Sequence, residues 1–501
     1  MRRISPRTLA LMGAATLLVA APGQAKLQAA ARTAVTGTVY KYETTHFAIY
    51  YQTSGENAVY GSSTVDGNGV PVAIDSIGAY AERSWRLAVD TIKFKAPVGV
   101  AKTILYEQTV PTGKMPIEVG DAGVAASGAP YNSPWMGLTS DPSSDPNGLG
   151  CDMVIENDFL YDTTLKPIRD SSNQVSSGIL YDFSTPADIH KGWKVAVSHE
   201  FFRTVEYGYE HKVYNTFLEM CAVWFEMRAY PHIYHHWIYL PKFIAYGYSG
   251  AFAASSYDVN NHGSFVRELS HVFGDTAIRK VWEYRAQHTA SDDESVWFSA
   301  AMDSLGYSQA TLLADYSVEL ANLLYDHPGV LNDSGLYVNQ PYEISSFYHM
   351  TATDTGFMNQ LPIEIGAFGF DGNTFYWDSI PPNMHVRVDS ISSSTVGAGF
   401  VVHLPSHKIV QFAYKGKDVI LPIDGSDTAI SVLFVGGSNP PIIETRLTYA
   451  PVTGIASAKK LRAAFIPKIR YDYLGRPVSS DARGVVIESD GEKTVRSVKL
   501  K

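Results

Sequence analysis

His199-Glu200-Phe201-Phe202-Arg203 and Glu219-Met220-Cys221-Ala222-Val223-Trp224-Phe225-Glu226 are the two stretches whose residue types and spacing bear on chemistry. Two histidines four apart on a helix present their imidazoles on one face and can hold Zn²⁺, with a Glu next to the first acting as general base. His199 and Glu200 stand in those places, but Arg203 occupies the second ligand position. A guanidinium is permanently charged, offers no lone pair and repels a metal ion. The first stretch therefore reads as a zinc motif with one ligand exchanged for a cation.

The second stretch is apolar on every side except at Glu219 and Glu226. A helix apolar all round is a buried helix, and glutamates seven residues apart share one of its faces. Buried carboxylates are costly without a compensating cation or metal. Arg203 can supply that charge by reaching Glu219 or Glu200, keeping the fold while discarding the metal.

Both stretches need helices to position them. From Asp188, which can cap, Ile189, Trp193, Ala196, Val197, Glu200, Phe201 and Thr204 share a helical face, with Gly208 as a C-terminal stop. A second helix runs from about 215 to 229. Further helices are expected from Gly263, over 277–285, after a Ser291-x-x-Glu294 capping box, and over 308–324. Upstream, Phe47–Tyr51, Lys102–Glu107 and Cys151–Glu156 read as strands, a helix starts near Ser76, and residues 110–150 read as a long loop. Beyond Pro328, runs such as Met384–Val388, Phe400–Leu404, Ile409–Ala413 and Ala429–Val435 alternate with turn residues, the pattern of an all-β sandwich or barrel. The fold class expected is α+β: a mixed sheet with a helical subdomain over residues 36–328, a β-sandwich-like domain over 329–455, and a tail over 456–501.

In order and spacing the two stretches resemble a family of secreted bacterial zinc metallopeptidases of gluzincin type. That family carries His-Glu-Phe-Phe-His on one helix and Glu-Gly-x-Ala-x-Trp-x-Glu on the next. The resemblance runs from Phe47 to about Arg285 and includes Val154-Ile155-Glu156-Asn157-Asp158 and Phe273-Gly274-Asp275. It implies zinc as cofactor, His199 and Glu219 as ligands, Glu200 as the base on a metal-bound water, and Glu226 in support. The departures are Arg203 and the Met220-Cys221 pair, which replaces small residues. Two protein ligands fall short of the three that catalytic zinc holds. His262 is a candidate replacement ligand or supporting group. His232, His235 and His236 follow Pro231 among Tyr and Trp and read as a partly exposed aromatic surface. Asp141–Gly148 lacks the spaced ligands of a Ca²⁺ loop and reads as a polar turn.

Residues 1–25 read as a secretory signal, with Arg2, Arg3 and Arg7 before an apolar stretch and Gly23-Gln24-Ala25 at the cleavage site. No later run suits a transmembrane helix. The signal contributes +3 and residues 456–501 contribute +6, so residues 26–455 carry −19 of the chain's net −10. An acidic body argues against nucleic acid as a partner. Tyr471-Asp472-Tyr473-Leu474-Gly475-Arg476-Pro477, with Gly484–Gly491 and a Lys499-Leu500-Lys501 end, resembles a C-terminal sorting domain of type IX secretion, which places the protein outside a Gram-negative cell. An ordinary hairpin around Asp490-Gly491 accounts for the same residues. Cys151 and Cys221 either pair or remain buried thiols.

Three functions follow. The first is an inactive peptidase domain that binds peptide or protein. The second is an active zinc peptidase with an unusual ligand set, and the third a surface-associated structural protein.

Overall fold

The computed structural model describes residues 37–122, 136–140, 150–159, 183, 185–210, 216–233, 235, 252, 263–288, 291 and 293–325, and beyond residue 346 the strands named below with a few flanking residues. The expected signal, the Asp141–Gly148 turn, His236 and His262 lie outside them. The chain divides into two compact units, residues 1–307 with 330–338 and residues 308–329 with 339–501.

The first unit is built on a five-stranded mixed sheet in the order β1-β2-β3-β5-β4. Its strands are β1 (Tyr40–Glu43), β2 (Phe47–Tyr51), β3 (Met115–Val119), β4 (Gly137–Thr139) and β5 (Met153–Ile155). β2, β3 and β5 run parallel, and the edge strands β1 and β4 run antiparallel to their neighbours. All residues of β2, β3 and β5 are buried, as expected of parallel strands covered on both faces.

The strand expected at Lys102–Glu107 is instead a turn. Lys102 and Thr109 form an isolated bridge, Thr103 N–H donates to the Gln108 carbonyl at 2.9 Å, and Glu107 has φ of 56°. The true third strand, β3, lies within the segment expected to be a loop. Pro116 disguised it. A proline suits a strand only where a ladder bond is missing, and β3 pairs with β5 only from Ile117 onward.

Helix α1 (Val72–Trp85) starts after Pro71 and continues as a π-helical stretch over Arg86–Ile92, closed by Lys93 at φ 71°. Helices α2 (Ile189–Tyr207) and α3 (Thr216–Ala229) follow, then α4 (Gly263–Phe273), α5 (Asp275–Gln287) and α6 (Glu294–Ser304). α2 packs on α1, α3, β4 and β5, and α3 packs on α4.

Three helix ends differ from expectation. Asp188 makes no cap bond to α2 and pairs with Lys191 at 2.7 Å instead. Gly208 keeps a right-handed conformation, with φ of −68°. At α6 the cap is Asp293, whose side chain accepts from Ser295 and Val296 N–H. Glu294, freed from any capping box, accepts from Thr216 and Phe217 N–H at 2.9 and 3.1 Å and so caps α3 from outside. Burial pushes its carboxyl up to about 6.

The second unit begins with α7 (Gln309–Tyr325), which packs on β11, β12 and β14. One of its sheets runs β12 (Ile409–Tyr414), β11 (Val396–His403), β14 (Ala429–Gly436), β9 (Phe370–Trp377) and β6 (Phe347–Met350). Another runs β13 (Asp418–Leu421), β10 (Met384–Ile391), β15 (Ile442–Tyr449) and β7 (Gly356–Met358), with β8 (Ile363–Glu364) also on β15. Only β6 and β9 pair in parallel in these sheets. A third sheet joins β16 (Ile469–Tyr471), β17 (Gly484–Ser489) and β18 (Thr494–Lys499). The register Ser489↔Thr494 places Asp490-Gly491 in the hairpin loop.

Candidate functional site

The α2 sequence turns one face toward α3 and the next toward the sheet, so His199 and Glu200, adjacent in sequence, look different ways. His199 faces α3. Its Nδ1 lies 2.6 Å from Glu226 Oε1 and its Nε2 lies 3.3 Å from Glu219 Oε2. Burial opposes a charge on the ring, but hydrogen bonds to the two carboxylates hold His199 well above the usual imidazole range. Each ring nitrogen thus faces one carboxylate oxygen.

Glu200 faces the sheet edge. The Thr139 hydroxyl donates to the Glu200 Oε2 at 2.6 Å and lies 3.0 Å from the Glu200 backbone carbonyl. Gly137 leaves room for it: a Cβ there would lie 2.7 Å from Glu200 Cγ. The three-residue strand β4 thus serves as a rest for the would-be base.

Arg203 bridges the two directions. Its Nη2 is 3.3 Å from Glu219 Oε1 and its Nη1 is 3.8 Å from Glu200 Oε2. Nη2 also reaches the Tyr207 hydroxyl at 3.3 Å. Burial alone would raise the Glu219 carboxyl. The Arg203 guanidinium and the His199 hydrogen bond overcome it and hold Glu219 at about 2. Glu226 is likewise held at about 2 against its burial, by hydrogen bonds from His199 and His235.

The segment expected to be a partly exposed aromatic surface is exposed at His232 and buried at His235. The His235 Nδ1 lies 3.2 Å from Glu226 Oε2. Glu226 therefore joins two imidazoles. Nothing in the spacing of residues 231–236 announces this, because the link spans two elements. Glu206 was also not singled out. It lies two turns beyond His199, fully enclosed, and the Cys221 thiol is the polar group beside it. Burial and the nearby Glu219 charge push it well above the carboxylate range, so it is a neutral acid. Cys151 and Cys221 are both buried and are not joined in a disulfide.

One imidazole and one carboxylate, His199 and Glu219, lie side by side here. Bonds of 2.0–2.1 Å to a tetrahedral ion set neighbouring ligand atoms roughly 3.3–3.4 Å apart. The His199 Nε2–Glu219 Oε2 separation of 3.3 Å has that spacing. The next nitrogen beside Glu219, also at 3.3 Å, belongs to the Arg203 guanidinium and has no lone pair. These residues do not fit a catalytic zinc. Among the described residues no group of three or more His, Cys, Asp or Glu is arranged to hold a metal ion, and no helix is long and apolar enough to cross a membrane.

No family model matches the chain, and no curated protein matches it. A solved family GH115 4-O-methyl-α-glucuronidase with specificity for decorated arabinogalactans is 14% identical. The match covers 53% of this chain and 43% of that one, with a TM-score of 0.12, and at that score the likeness carries no argument.

Proposed function

We propose that the first unit is a gluzincin-like peptidase domain in which Arg203 has replaced the metal, and that it acts by binding peptide or protein rather than cutting it. The observation that carries this reading is the placement of the guanidinium 3.3 Å from Glu219, the carboxylate that the resemblance makes the third zinc ligand. A fixed cation there neutralises the acid that a metal would otherwise serve. Glu200, resting on Thr139, keeps the position of a base but has no metal-bound water to activate. His199 has both ring nitrogens turned to carboxylates, Nδ1 to Glu226 and Nε2 to Glu219.

The same reading has the protein exported, with the two five-stranded sheets of the second unit as faces of a sandwich and residues 456–501 as a sorting tail. An active zinc peptidase is the rival. The tetrahedral spacing of His199 and Glu219 favours it, and it would need a further ligand such as His262.

Zinc content decides between them. Elemental analysis of the purified wild type should find no stoichiometric zinc. Arg203→His should take up about one zinc per chain, because it completes a two-histidine, one-glutamate set. Peptide cleavage in that variant should be weak and should vanish with an added Glu200→Gln. One tightly held zinc in the wild type overturns the proposal. An Arg203→His protein that folds but takes up no zinc removes the inherited-peptidase premise.

A further inference from the structure

A second cluster of buried acids lies on the sheet, away from the α2–α3 site. Glu118, in the middle of β3, and Asp152, immediately before β5, are both wholly buried on neighbouring parallel strands. Between them they hold three successive amides of the 103–108 turn. Ile104 N–H donates to Asp152 Oδ2 at 2.7 Å, Leu105 N–H to Glu118 Oε1 at 2.6 Å, and Tyr106 N–H to Glu118 Oε2. The Thr103 hydroxyl also faces Glu118, and Met153 N–H faces Asp152.

One atom is left over. Asp152 Oδ1 is buried, with no N–H or O–H donor at hydrogen-bonding geometry among the described residues. The Glu118 and Asp152 carboxyls lie within interaction range of each other, on neighbouring strands and on successive amides of one turn. Two carboxylates cannot bond to each other, and two negative charges enclosed without a cation are prohibitively costly. One proton between them removes both difficulties, since a carboxylic acid can donate to a carboxylate.

The surrounding titratable groups do not supply that proton. Tyr50 reaches in from β2, but its hydroxyl donates to the Thr109 carbonyl at 2.7 Å. Tyr106, in the turn, donates to the Val119 carbonyl at 2.6 Å. Lys102 and Glu107 pair with each other at 2.8 Å on the exposed side of the turn. Glu156 acts on Tyr106 as a further buried acid. From the β4 side comes Ser140, whose hydroxyl accepts from Asp152 N–H at 2.7 Å.

We propose that Glu118 and Asp152 hold one proton between them, and that this proton fastens the 103–108 turn to the sheet, so that rising pH releases the turn. Burial raises both carboxyls, which gives the sign. The folded state keeps a proton that the unfolded chain gives up in the ordinary carboxylate range. The fastening is complete below that range and is lost as pH rises through the pair's own titration. Ser140 follows Thr139, so the strand end hooked to Asp152 also carries the residue that holds Glu200.

Hydrogen exchange of the amides of Ile104, Leu105 and Tyr106, followed from about pH 5 to pH 9 and corrected for intrinsic rates, tests this. In the wild type, protection should fall by up to about tenfold per pH unit while the folded protein still holds the shared proton, and should level off once that proton is lost. Asp152→Asn puts a permanent N–H donor beside Glu118 and should make protection independent of pH. Equal slopes in the two proteins, or a flat wild type, overturn the proposal. Should Asp152→Asn fail to fold, infrared spectra of the wild type serve instead. A protonated-carboxyl carbonyl band must disappear around the pH at which the fall in amide protection levels off, and its absence or a titration elsewhere overturns the proposal equally.

Discussion

Between α2 and α3, the carboxylates of Glu200, Glu219 and Glu226 face Arg203 and the imidazoles of His199 and His235, whereas on β3 and β5 the carboxyls of Glu118 and Asp152 face each other. In the first group Glu219 and Glu226 are held below the usual carboxylate range, Glu219 by the Arg203 guanidinium and the His199 hydrogen bond, and Glu226 by hydrogen bonds from His199 and His235. The second is balanced by a proton and keeps one acid neutral. The difference lies in reach. Arginine and histidine on a helix extend across to the next helix, while two residues on adjacent parallel strands can meet only at close quarters. Helix pairs can therefore internalise an ion pair that the centre of a parallel sheet has no room for.

Removing the cation from the first region should have the largest effect. Arg203→Ala should cost roughly 3–5 kcal/mol in denaturant unfolding, because buried Glu219 loses its partner. A loss below about 1 kcal/mol would mean that water already solvates these acids, and the contrast between the two regions would collapse.

Glu156 sharpens the contrast from the other side. It is a buried acid with neighbours Asp121 and Asp158, and burial pushes it up to about 8. Its folded value stands above the unfolded one, so it stabilises below the ordinary carboxylate range and progressively opposes folding up to about pH 8. Glu156→Gln, which keeps an acceptor for Ala122 N–H, should gain about 2–4 kcal/mol at alkaline pH and little at pH 4. Thermal unfolding of both proteins across that range measures it. A gain that does not grow with pH would show that Glu156 is ionised and solvated.

The smallest effect expected is at Thr139→Val, which removes the hydroxyl that Glu200 accepts from and should cost about 1.5–3 kcal/mol. Adding Arg203→Ala to it tests coupling through Glu200. Strict additivity would show that the 3.8 Å Arg203–Glu200 contact contributes nothing.

The helical half of this arrangement was legible in the sequence. His199, Glu200, Arg203, Glu219 and Glu226 lie on two helices whose period is plain, and local periodicity fixes which residues share a face. All of α3 except Arg228 is buried, as its unbroken apolar character implies. What could not be read depends on distant partners. Strand β3 was hidden by Pro116 and Glu118, residues that oppose a strand until β2, β5 and the 103–108 turn are in place around them. His235 reads as a surface residue until Glu226 is seen beside it. Glu206 is invisible as an acid of interest because only enclosure by other elements makes it neutral.

The cap on α3 has a consequence for the order in which the chain matures. The first amides of that helix, at Thr216 and Phe217, are satisfied by Glu294, 78 and 77 residues further along. Glu219 lies in the same first turn. A chain emerging from its N-terminus therefore makes His199, Glu200 and Arg203 well before the residue that seats their partner helix. During that interval α3 has an open positive end and nothing from α6 to hold it. Completion of the site is timed by α6, and a chain cut short before residue 294 would carry every residue of the motif without the means to assemble it.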